Sequence, residues 1–267
     1  GKWMLLVYGM DAAALEGLAT MAAIAANGTA MGAIADNALL MHAIANSETA
    51  MQRIANSQTA MQRVANNRGA MDAIGRSRIA RDAVQASPYY NSYIKENDMA
   101  IAKLVVGFAN LESARYSGCA GMAADSTAMT AVAASSTAMT AVAASSTAMT
   151  AVAASATAMG KIAAVDAALS KLAASTTAMD ALYARKKQMK GGSASKSGKF
   201  IILEISQSNA FNTSKYGYAT LSDGSKPDWS SYLAKYAFFQ KYPKYATYML
   251  NDTDSDDYIY YFDIASP

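Results

Sequence analysis

Asp252, Asp254 and Asp256 alternate near the end of the chain, and alternate carboxylates are a pattern that converges on a hard cation such as calcium. The match to a calcium loop is partial. Asp257 stands where the sixth position calls for glycine and Asp263 where the twelfth calls for glutamate, so an acidic hairpin turn explains the same residues. Tyr216, Tyr218, Trp229 and Tyr232 form a second candidate set, because rigid aromatic area suits a carbohydrate or protein ligand, although core packing uses the same rings. The single histidine, His42, follows Met41 inside a repeat and reads as a surface substitution. The sequence contains no nucleophile elbow, no phosphate-cradling glycine motif and no His-rich metal site, so neither a catalytic residue nor a resident cofactor is expected. Cys119 is the only cysteine, which excludes an intrachain disulfide framework.

These acids and aromatics sit in a segment whose hydrophobic pattern is that of strands. Residues 200–205, 216–221, 245–250 and 258–264 are rich in aromatic and β-branched side chains, with turn signals at Ser222-Asp223-Gly224 and Asn251-Asp252. Residues 229–242 fit a helix or a further strand. Ten of the 16 tyrosines lie beyond Tyr183, so residues 199–267 form a β-rich tip domain of different composition from the rest.

The remainder is repetitive with a period of ten. Met21, Met31, Met41, Met51, Met61 and Met71 recur, Arg81 takes the next slot, and each is followed three places on by Ile24, Ile34, Ile44, Ile54, Val64, Ile74 or Val84. A second array restarts at Cys119 and runs through Met129, Val132, Ser135, Met139, Val142, Ser145, Met149, Val152 and Ser155 to Met179 and Leu182. Six places after the methionine comes Asn or Ser in nearly every unit, with Asp125 and Val165 as exceptions. If all three marked positions share one helix face, the period is about 3.33 residues per turn, and an ordinary helix would lose register by roughly 80° per unit. A continuous helix keeps such a stripe only in an overwound coil with partner chains, so the expected fold is a mainly α, elongated, trimeric coiled-coil-like shaft of homo-oligomeric chains with layers of Met, aliphatic and Asn/Ser. A competing reading makes Asn or Ser an N-cap, each unit then being a short helix closed by a polar turn.

The organisation that follows is an N-terminal attachment segment at 1–20, a first shaft at 21–87, an interruption at 88–118, a second shaft at 119–190, a Gly/Ser linker at 191–198 and the tip at 199–267. Pro88 ends the first shaft, and residues 97–111 read as a conventional amphipathic helix capped at Asn97-Asp98. The interruption fits a shaft joint, a docking flange or, most readily of the three, a phase correction between the arrays. The net charge is only +3 with no basic run longer than two residues before the cluster at 185–190, so nucleic acid is not an expected partner, and no segment is long and apolar enough to span a membrane.

The units Ser-Ser-Thr-Ala-Met-Thr-Ala-Val-Ala-Ala at 135–144 and 145–154, followed by a Gly/Ser stretch and a Tyr-rich β-domain, resemble the repetitive shafts of bacteriophage tail-fibre or receptor-binding proteins. That resemblance implies an extracellular virion location, a homotrimer, other fibre or baseplate proteins as neighbours, and a tip that recognises a host-surface glycan or protein or joins another fibre segment. A bacterial stalked adhesin has the same organisation, and recurrent Thr and Ala also suit an ice-binding repeat, though a ten-residue period makes any unsupercoiled threonine face drift.

Overall fold

The computed structural model describes residues 16, 18–206, 217–229, 232–252 and 257–267. The chain divides into two units, residues 1–122 and 123–267. Among the described residues of the first, seven short helices follow one another: α1 (Met21–Ala26), α2 (Gly28–Asp36), α3 (Ala38–Ala45), α4 (Glu48–Ala55), α5 (Gln58–Ala65), α6 (Arg68–Arg76) and α7 (Arg78–Gln85). Then come α8 (Tyr90–Tyr93), α9 (Asp98–Phe108) and a 3₁₀ turn at Ser113–Arg115. Helix α10 (Cys119–Ala124) leads into the second unit, which continues with α11 (Ser126–Ala134), α12 (Ser136–Ala144), α13 (Ser146–Ala153), α14 (Ala156–Ala163), α15 (Asp166–Ala173) and α16 (Thr176–Tyr183).

The expected continuous trimeric coil is therefore not the fold: each decad is its own helix, and the arrays stack on themselves. The cap residue is the cause. Ser135 adopts an extended conformation (φ −94°, ψ 112°) between α11 and α12, and the two helix axes diverge there by 103°. Three such corners bring the chain round, so α4 packs on α1, α5 on α2, α6 on α3 and α7 on α4, and in the second unit α14 packs on α11, α15 on α12 and α16 on α13. The apolar stripe, expected to pack against partner chains, is buried within one chain. Met129, Val132, Met139, Val142, Met149 and Val152 are fully buried, together with the alanine before each methionine. Alanine at these sites lets the short helices approach closely, and the larger Met and Ile or Val fill the space they enclose.

Helices of eight or nine residues are marginal alone, and their ends carry unsatisfied backbone groups. The Asn/Ser position satisfies groups on two helices. Its side-chain oxygen accepts from the backbone N–H three residues on, as in Ala30 N to Asn27 Oδ1 (2.9 Å) and Ala158 N to Ser155 Oγ (3.1 Å). The same group donates to a helix-terminal carbonyl one turn of the stack earlier: Ser57 Oγ to Ala25 O (2.6 Å), Ser77 Oγ to Ala45 O (2.6 Å), Ser87 Oγ to Ala55 O (2.5 Å) and Ser155 Oγ to Ala123 O (2.7 Å). Ser175 does likewise to Ala143. Ser and Asn both accept and donate, which is why these two residues occupy the slot.

The interruption keeps this ladder in phase. Asn97, ten residues after Ser87, caps α9 through Ala100 N (3.1 Å) and donates from Nδ2 to Ala65 O (3.3 Å). Helix α8 contacts α5, and α9 packs on α6, so the segment after Pro88 supplies further layers of the same stack.

The C-terminal sheet contains β1 (Lys187–Lys190), β2 (Ala194–Ser206), β3 (Gly217–Leu221), β4 (Asp228–Trp229), β5 (Ala246–Asn251) and β6 (Tyr258–Asp263), with α17 (Ala237–Lys241) packed against β2. The order is β1-β6-β2-β5-β3-β4 and every pairing is antiparallel. Residues 191–198 are not a linker: Gly191–Ser193 form the turn after β1, with Gly192 (φ 90°) and Ser193 (φ 66°) left-handed, and Ala194 to Ser197 pair with β5. The alternation of Ala194, Ser195, Lys196 and Ser197 is that of a strand whose exposed face is polar, a composition shared with flexible loops. Among the described residues no helix is long and apolar enough to cross a membrane, and the only apolar pair that reaches the length is bent at Ser135.

Candidate functional site

Of the aromatic set, Tyr216 lies outside the described residues. Trp229 is in the core, its ring edge-on to Phe238 at 5.7 Å, and Tyr218 is half-buried beside Tyr248 at 5.7 Å. Tyr232 is the one that faces solvent, 53% exposed. Of the acidic set, Asp254 and Asp256 lie outside the described residues, and Asp252 accepts a hydrogen bond from Ser193 Oγ. The buried Asp257 is held through its carbonyl, which accepts from Gly191 N (2.8 Å). His42 is half-buried, with Arg76 Nη1 3.4 Å from its Nε2.

Two polar clusters that sequence reasoning missed are built by the fold. In the second unit, the last decad meets the sheet. Tyr183 Oη donates to Glu204 Oε2 (2.5 Å), and burial together with that carboxylate pushes the phenol up to about 12. Lys186 and Lys235 lie 4.2 and 4.4 Å from the Tyr183 ring centroid. Asp180 accepts from Tyr236 Oη and Lys235 Nζ, which hold its carboxyl below the usual range, and Lys244 Nζ reaches Asp166 at 2.5 Å. These contacts tie α15 and α16 to the sheet.

The other cluster lies in the first unit, where α6, α7 and α9 converge. Arg81 occupies the slot that holds an apolar residue in the other decads, and it is only 8% exposed. Its Nη1 donates to Gly75 O (2.7 Å), its guanidinium lies 5.8 Å from the Phe108 ring, and its Nε–H has no acceptor among the described residues. Burial lowers its pKa. Beneath it, Gly75 and Gly107 meet so closely that a Cβ on Gly107 would stand 2.4 Å from Gly75 O and 2.8 Å from Arg81 Cδ. Lys103, fully buried, pairs with Asp72 and donates to Ser113 O (3.1 Å), while Ser113 Oγ donates to Asp72 O (3.2 Å).

Above this floor is a cleft of about 410 Å³ lined by Gly75, Arg76, Arg78, Arg81, Asn110 and Glu112 among others. Glu112 accepts from Arg76 Nε (2.8 Å) and from Ala114 N (3.2 Å), and the Ala114 N–H, with Arg76 after it, keeps its carboxyl below the ordinary range. Two departures in the sequence mark the place: a cation in an apolar slot, and glycine at position 75 where the preceding decads carry alanine. No protein-family model matches this chain, and no curated protein matches it significantly.

Proposed function

We propose that this chain is a structural surface-display protein of the bacteriophage fibre type, in which stacked decads space and orient a C-terminal sheet that attaches to a host-surface glycan or protein. The supporting observation is the saturation of the repeats: the stripe through Met129, Val132, Met139, Val142, Met149 and Val152 is buried inside the stack, and the cap ladder closes helix ends, as in Ser57 Oγ to Ala25 O and Ser155 Oγ to Ala123 O. Positions 126–135, 136–145 and 146–154 repeat the same residues. Such units add dimension in equal steps, and the sequence-unique, aromatic-rich surface is carried by the sheet.

The test uses the full chain. Labelled protein is applied to bacterial cells and surface-glycan arrays, and antibodies against it are applied to phage particles by immunogold microscopy, with light scattering reporting the oligomer. Decoration of tail structures and saturable cell binding, weakened about tenfold by Tyr232→Ala, is the expected outcome. Absence of both decoration and cell binding sinks the proposal.

A further inference from the structure

The Arg81 cleft has no part in spacing or display. A methionine here would complete the apolar interior as in the preceding decads, yet the chain buries a guanidinium instead and leaves its Nε–H without an acceptor among the described residues. An unpaired buried donor is costly, and an arginine is the side chain best shaped to meet a planar or tetrahedral oxyanion side-on through Nε and Nη2. Nη1 is already committed to Gly75 O, which aligns the guanidinium, and Nε–H is the donor left without an acceptor among the described residues.

The surroundings have the matching charge. Arg76, Arg78 and Arg81 against Glu112 leave the lining at +2. Glu112 is neutralised by Arg76 at 2.7 Å, and the Arg78–Asp82 pair at 3.5 Å is exposed, so solvent screens it and Arg78 is free to turn toward the cleft. The Gly75–Gly107 contact sets the floor on which Arg81 lies, and Lys103 is held away from the cleft by Asp72 and Ser113.

We propose that this cleft binds a small oxyanion of the phosphate or sulfate type, with Arg81 as its principal donor and Arg78 closing over it. The site is independent of the attachment surface on the sheet.

Inorganic phosphate titrated into the full chain by calorimetry, with chloride holding ionic strength constant, tests this directly. Saturable binding is expected in the unaltered protein. Arg81→Met restores the residue of the other decads and is expected to fold and to abolish binding. Arg81→Lys keeps the charge but lacks the fork, and is expected to bind at least about tenfold more weakly. No saturable binding in the unaltered chain, or equal affinity in Arg81→Lys, overturns the assignment.

Discussion

At the residue scale, the decad is held by one polar side chain doing two jobs. Removing the hydroxyl of Ser77 would strip a cap from α7 and leave Ala45 O without its cross-turn donor, whereas Asp125 accepts from Thr127 N and Ala128 N at the head of its array. The exception in the second array is Val165, which makes no cap bond to α15. Val165→Ser is therefore expected to raise the stability of the second unit by about 1 kcal/mol, read as an upward shift of its urea midpoint. A downward shift would mean that the valine packs better than a cap bonds. Buried charge behaves differently. Asp72→Ala leaves the Lys103 ammonium buried without its carboxylate and is expected to cost about 3–5 kcal/mol, while Asp72→Leu combined with Lys103→Met is expected to fold with near-original stability.

At the element scale, strands were legible, whereas the favoured reading of the helical array failed and the competing one, short helices capped by Asn or Ser, held. The runs at 200–205, 217–221, 246–250 and 258–263 are strands because their aromatic and β-branched alternation has no helical counterpart. Met, aliphatic and Asn/Ser positions were equally visible, but treating all three as one face forced a period near 3.33 and with it a coil of several chains. The third position is not on the face at all. Ser135 and its equivalents leave the helix, so the ten residues are a short ordinary helix plus a corner, and nothing needs overwinding. Propensity misled in the same direction, since alanine-rich units without proline favour continuity until the cross-turn hydrogen bonds are counted, and those bonds join residues 32 apart. The Arg81 cleft was unreadable for a related reason: Gly75, Arg81, Gly107 and Glu112 come together only once α9 lies on α6.

At the scale of the whole molecule, stacks of this kind gain stability from each interface between neighbouring turns. A second copy of residues 126–155 inserted after Ser155 adds one complete turn, so the second unit is expected to keep its cooperative unfolding with a midpoint no lower than the original, and to lengthen by roughly 10 Å in small-angle scattering. A lower midpoint or loss of cooperativity would show that the ladder cannot be extended. The contacts from Asp166, Asp180 and Tyr183 to the sheet travel with the last two helices and survive the insertion.

The 103° corner at Ser135 also makes repeat number a compass setting. One added decad swings the sheet by about a third of a revolution around the stack of its unit, and three return it to its original bearing one level further out. A lineage that gains or loses single decads thus re-aims its sheet without altering a residue of it, and changes reach alone only in multiples of three.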